Sequence, residues 1–210
     1  MQVKERVLHK VTAFVTRTSA AGRELLVFEH PHAGVQLPAG TVEANEEPEQ
    51  AALREVREET GLVRLSLRGC LGAFDQPMPE RSSMIFRDSM LQSTPQRDAT
   101  LIRQFLRRGL PVEVGDEVNQ FVKVTFRETD LRTGNVIAQQ SGWIPVISLA
   151  ERVVRSCFQV EAEPDTPDQW HHQADRDHTF ALFWVPLDSD PGLHPAQAEW
   201  LTFARAHGLH

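Results

Sequence analysis

Glu55, Glu58 and Glu59 stand in an i, i+3, i+4 relation within the segment GTVEANEEPEQAALREVREETGL, residues 40–62. A helix there brings the three carboxylates to one face, where unneutralised like charges oppose helix formation. A divalent cation removes that repulsion. Magnesium is the natural candidate, because it takes hard oxygen ligands, is held by a few carboxylates, and shares the rest of its shell with water and substrate phosphates.

The elements that must position this trio can be read around it. Pro48 sits in the first turn of the predicted helix. Ala52, Leu53, Val56 and the closing Leu62 form a core-facing stripe, so the glutamates occupy a defined opposite face and not a random acidic patch. Ahead of the helix lie two strand-like runs, Val7 to Thr16 and Glu24 to Glu29, with a turn through Ala20, Ala21 and Gly22.

Written as G-x5-E-x7-R-E-V-x-E-E-x-G-L, residues 40–62 resemble the Nudix box at every defined position: Gly40, Glu46, Arg54, Glu55, Val56, Glu58, Glu59, Gly61 and Leu62. The resemblance implies a Nudix-type α/β/α sandwich with a mixed sheet, in which Glu55, Glu58 and Glu59 bind magnesium, with manganese as a substitute. It also implies that Arg54 pairs with box carboxylates, and Arg54 and Glu58 are indeed i, i+4 neighbours suited to an ion pair. Glu46 matches an outlying acidic position that supports the loop or a metal-bound water. Gly40 permits the tight loop entering the helix, and Gly61 fits a left-handed helix C-cap. One nearby departure is Ala39, where many relatives carry a second glycine.

The implied chemistry is hydrolysis of a diphosphate linkage in a nucleoside diphosphate joined to another moiety. Charge developing on the phosphoryl oxygens has to be neutralised and a water activated. Glu58, central in the cluster, is the first candidate for the general base, with Arg54 orienting it. The implied substrate is a small nucleotide: a nucleotide-sugar, a dinucleotide or a nucleoside triphosphate. The sequence has no tyrosine, which members acting on diadenosine polyphosphates often place after the box, and Pro77 and Pro79 only bracket the proline offset of ADP-ribose members. The competing reading is a nucleotide-sensing protein of the same fold without turnover. Such proteins usually have eroded box carboxylates, and none is eroded here.

The composition narrows the class. With 210 residues and 40% hydrophobic content the chain has ample material for one core, and the expectation is a single domain over 1–210 with an insertion at about 82–148. A net charge of -7 argues against general nucleic-acid binding, which depends on Lys and Arg neutralising phosphates. No apolar run approaches membrane-spanning length, and the first ten residues lack a secretory signal's apolar core. Cys70 and Cys157 lie far apart, as expected for reduced structural thiols in a cytoplasmic protein. A homodimer is compatible with all of this.

Beyond the box, Leu62 to Phe74 reads as a strand or two, and Asp75 to Arg81 as a turn-rich break that could line the pocket. Leu101 to Arg108 reads as a short helix ended by Gly109 and Pro111. Phe121 to Glu128 and Val136 to Pro145 form a predicted hairpin around Leu131 to Asn135. Two threadings of the end compete. In one, Ser148 to Arg155 is the final helix; in the other, which is favoured, Thr179 to Leu187 is a buried strand and Ala196 to His207 the closing helix. Phe180, Phe183 and Trp184 are expected in the core, with Phe74 and Trp170 the better candidates for stacking on a base. His30, His32, His171, His172, Asp175, Asp177 and His178 could suggest a transition-metal site, but lack a Cys/His framework for zinc. His178 is expected instead to start a strand reaching the substrate pocket.

Overall fold

A computed structural model describes residues 5–163, 165–174 and 178–210. The chain divides into two compact units, one made of Lys10–Phe74 with Arg155–His210, the other of Asp75–Val154 with the described residues before Lys10.

The first unit is built on a sheet ordered β13-β14-β2-β1-β12-β5, with two short strands, β3 on β2 and β4 on β1. Numbered in chain order, these are β1 (Val7–Ser19), β2 (Gly22–His30), β3 (Gly34–Gln36), β4 (Ala39–Thr41), β5 (Leu65–Asp75), β12 (Arg152–Ala162), β13 (Gln169–Gln173) and β14 (Thr179–Pro186). β1 holds the centre because residues 11–17 are buried at every position, as a strand covered on both faces requires. It runs the same way as β12, since Arg155 reaches the Val11 carbonyl and Thr16 reaches that of Val160, while β1 and β2 are antiparallel. The sheet is therefore mixed.

Strand alternation sends side chains to opposite faces, and each face recruits one helix. Val11, Ala13, Val15, Leu26 and Phe28 pack with Ala51, Ala52 and Val56 of α1 (Pro48–Thr60). Phe14, Leu25, Val27 and Cys157 pack with Leu201 and Ala204 of α2 (Pro195–Ala206). Two helices on opposite faces of a mixed sheet give the α/β/α sandwich expected from the sequence. Phe28 stacks on Phe180 at 4.5 Å between ring centroids. Truncating such a buried ring to alanine typically costs about 3–5 kcal/mol.

The second unit is a six-stranded sheet ordered β6-β9-β10-β11-β7-β8. Its strands are β6 (Ser82–Met84), β7 (Ser89–Gln92), β8 (Leu101–Leu106), β9 (Pro111–Val118), β10 (Phe121–Thr129) and β11 (Val136–Pro145). Ile85, Leu91, Leu106, Val112, Val122, Val124 and Ile144 form its core. Asn119 and Gln120, at φ 51° and 66°, make the two-residue turn between β9 and β10.

One expected helix is corrected, and the helix of the less favoured threading is also absent. Within the stretch Leu101 to Arg108, Leu101–Leu106 is the strand β8 and no helix: its side chains alternate in exposure, Leu106 is fully buried, and its backbone pairs with β7. Leu101 and Phe105 face solvent at 56% and 47% exposure. Ser148 to Arg155 is likewise not a helix, because a short 3-10 turn, Val146–Ser148, gives way to β12. Long-range pairing overrode local propensity in both places.

Candidate active site

Helix α1 begins at Pro48 behind the N-cap Glu47, whose N–H is accepted by the Gln50 side chain. It ends at Gly61, which takes the left-handed conformation at φ 75° and donates its N–H to Arg57 O at 2.9 Å. The apolar side of the helix fixes its roll on the sheet, so Arg54, Glu55, Glu58 and Glu59 project away from the core towards the incoming loop. That loop is held from three directions. β4 pairs Gly40 with Val11 on β1, the Pro38 carbonyl accepts Ala13 N–H at 2.9 Å, and Gln197 Oε1 from α2 accepts Leu37 N–H at 2.6 Å.

Arg54 is the hub of the constellation. It grips Glu46 with two N–H groups, Nε to Oε1 at 2.8 Å and Nη2 to Oε2 at 2.9 Å. Nη1 donates to Glu55 Oε1 at 2.9 Å and to Glu58 Oε2 at 3.0 Å, and Nη2 also reaches the Thr41 carbonyl at 3.1 Å. Glu46 turns back on the loop as well, accepting Glu43 N–H at 2.9 Å. The i, i+4 pair of Arg54 and Glu58 expected from spacing is therefore present.

The carboxylates differ in environment. Arg54 hydrogen bonding holds Glu46 below the usual carboxylate range, even against the opposing effect of burial. Burial pushes Glu55 up, with Arg54 and the charge of Lys10 pulling the other way. Glu59 is raised furthest, first by burial and then by the Glu55 charge, and only partly relieved by the Ala39 N–H it accepts at 3.0 Å. The Glu58 side chain is 55% exposed and marks the solvent edge of the cluster. Three acidic groups sharing one guanidinium, with Glu59 on the same helix face, leave negative charge that a cation would neutralise.

Space points the same way. A Cβ at position 40 would lie 1.8 Å from Glu55 Oε1, so the absence of a side chain there is what lets the Glu55 carboxylate lie against the loop. The donor set is all oxygen and carboxylate, which fits a hard divalent ion. In the side-chain arrangement described, the carboxylates are drawn to Arg54 and the loop amide, and among the described residues no three His, Cys, Asp or Glu side chains stand ready as ligands around one point.

A family comparison decides what this arrangement belongs to, since residues 8–104 match the model of the NUDIX domain. Over residues 8–104, a little under half of its length, the chain is similar to the NUDIX domain. The matched stretch contains the whole Nudix box and runs on past Phe74 into the second compact unit. Among solved structures, the MutT protein of Methanosarcina mazei Go1 aligns over 98% of this chain and 96% of its own, at 14% identity and TM-score 0.47. RenU, a Nudix hydrolase of M. smegmatis, aligns over 97% and 86% at 15% identity and TM-score 0.46, and a C. elegans Ap4A hydrolase over 95% and 94% at 15% identity and TM-score 0.41. No curated protein sequence matches the chain.

Other residues singled out in the sequence sit elsewhere. Phe74 packs on Phe203 of α2 at 4.8 Å, and Trp170 packs on the core beneath α1. Phe180 is buried, whereas Phe183 and Trp184 only border their clusters. His30, His32 and His178 gather with ring centroids 4.9 to 6.1 Å apart. Asp175 and Asp177 lie outside the described residues. A cavity of about 1000 Å³, lined in part by Arg97, Asp98, Glu117 and Phe121, belongs to the second unit and contains no Nudix-box residue. Residues absent from the sequence expectations include Lys10, whose charge acts on Glu55, and Gln197 behind the loop; no local pattern marks either, because each acts from an element distant in sequence.

Proposed function

We propose that the chain hydrolyses a diphosphate linkage in a nucleoside diphosphate joined to another moiety, releasing a nucleoside monophosphate and the phosphorylated remainder. Glu55, Glu58 and Glu59 would hold magnesium, or manganese in its place. Bound there, the ion supplies neutralisation of phosphoryl charge and a more acidic water. The observation that carries this reading is the Arg54 hub, which gathers Glu46, Glu55 and Glu58 beside a loop whose Gly40 leaves room for a carboxylate.

The chain's own residues divide the remaining work. Glu58, at the solvent edge, would accept the proton of the attacking water, a role its exposure supports. Arg54 restrains Glu55 and Glu58 and anchors the loop through Glu46 and the Thr41 carbonyl. Glu59, buried against Ala39, fixes the distance between helix and loop. We also propose that residues 1–210 form one Nudix domain with an insertion at about 82–148. Among the described residues no helix is long and apolar enough to cross a membrane. The free thiols Cys70 and Cys157 suit a reducing cytoplasm.

Phosphate release after coupled phosphatase treatment, measured over nucleotide sugars, dinucleotides and nucleoside triphosphates with magnesium and with chelator, tests this function. Magnesium-dependent product from at least one class is expected. Saturable nucleotide binding with no product from any class would instead support a sensor.

A further inference from the structure

Helix α1 carries every proposed metal ligand, so whatever sets the height and roll of its last two turns sets the ligand geometry. The C-terminal carbonyls of a helix lack intrahelical partners and must find donors elsewhere. One is answered locally: Arg57 O accepts Gly61 N–H. Two others are answered from β13. Trp170 Nε1 donates to Thr60 O at 2.7 Å, and His172 Nε2 lies 3.0 Å from Glu58 O. A carbonyl only accepts, so His172 meets it with an Nε2–H.

Trp170 and His172 are two residues apart on one strand and therefore share a face. Their backbones pair with Leu182 and Phe180 of β14, both buried in the core under α1. The two side chains thus tie the helix end to the sheet at the residues flanking Glu59. The box glycine takes part as well. Gly61 lies under the imidazole, and a Cβ there would come within 2.7 Å of His172 Nδ1. Position 61 has to lack a side chain both for its left-handed backbone and for the histidine to reach the helix.

We propose that Trp170 and His172 are positioning residues for the metal-binding face of α1, acting through the backbone carbonyls of Thr60 and Glu58. This rests on the assignment of Glu55, Glu58 and Glu59 as ligands. Neither residue belongs to the box.

Manganese binding followed by electron paramagnetic resonance, with amide hydrogen exchange along α1, tests it. Trp170→Phe keeps the ring and loses the donor; His172→Ala loses donor and ring, and His172→Gln restores an N–H of similar reach. Trp170→Phe and His172→Ala should each weaken manganese binding about fivefold, the equivalent of one lost hydrogen bond, and speed exchange in the last turn of α1, with His172→Gln recovering most of both. Trp184→Phe is the control. It loses an equivalent donor, to Pro167 O at 2.9 Å and not to any carbonyl of α1, while keeping a ring beside Trp170, and should leave manganese affinity unchanged. If the unmutated protein binds manganese and both lesions bind it equally well, the positioning role is overturned while the metal assignment stands. An unmutated protein that takes up no manganese overturns the metal assignment and the inference with it.

Discussion

Gly40 and Glu55 share one space: the Glu55 carboxylate lies where a side chain on residue 40 would begin, its Oε1 1.8 Å and its Cδ 2.0 Å from a Cβ built there. The obstacle is the far end of a flexible side chain, so Gly40→Ala should fold, with stability changed by less than about 1 kcal/mol. Glu55 must move, and displacing a site group by an ångström costs about a hundredfold in rate. Kinetics at saturating magnesium beside a thermal melt check the pair of outcomes; near-normal turnover would mean that Glu55 works from another rotamer.

Glu58→Gln should keep the fold and lower kcat by about 10²- to 10⁴-fold, the usual worth of a general base. Retained turnover with metal saturating would move the base elsewhere, Glu59 being the next to test.

Glu46 is held low by Arg54, so its ion pair stabilises the fold fully above its ordinary value of 4.5 and is lost as pH falls through the lower folded value. Glu46→Gln should therefore be less stable than the parent at neutral pH by about 1–2 kcal/mol, a charge-assisted hydrogen bond's share. That deficit should shrink in acid. Denaturant titrations of both proteins at neutral pH and below 4.5 would show it.

Glu59 has the opposite sign. Its folded value is raised, so its contribution to stability is complete below 4.5 and drains away as pH rises through the raised value. In chelator at neutral pH, Glu59→Gln should melt higher than the parent, and added magnesium should narrow or reverse the difference by stabilising only the parent. A variant that melts lower in chelator would show that Glu59 is already neutralised without metal.

The two thiols should behave differently. Cys70 is exposed, whereas burial pushes the Cys157 thiol up to about 12. A thiol-reactive reagent near neutral pH should modify one cysteine per folded chain, Cys70 by peptide mapping, and both in denaturant. Rapid modification of Cys157 in the folded protein would contradict its place against the α2 face.

The sequence by itself determined the box helix and its ends, because those signals are local: Pro48 at the start, Gly61 at φ 75° at the end, and apolar residues on one side only. It also pointed to the first two strands and favoured, without deciding, the closing helix that Pro195 and Gly208 punctuate. Spacing alone put Arg54 and Glu58 together. Tertiary structure decided what distance along the chain conceals. Leu101 to Leu106 is a strand because β7 pairs with it, although its apolar spacing suits a helix. Trp170, Gln197 and His172 meet the box region from elements more than a hundred residues away, through hydrogen bonds to backbone that leave no periodic trace. Glu55 and Glu59 look alike with Glu58 in the sequence, and only burial against Gly40 and Ala39 separates the enclosed pair from the exposed member.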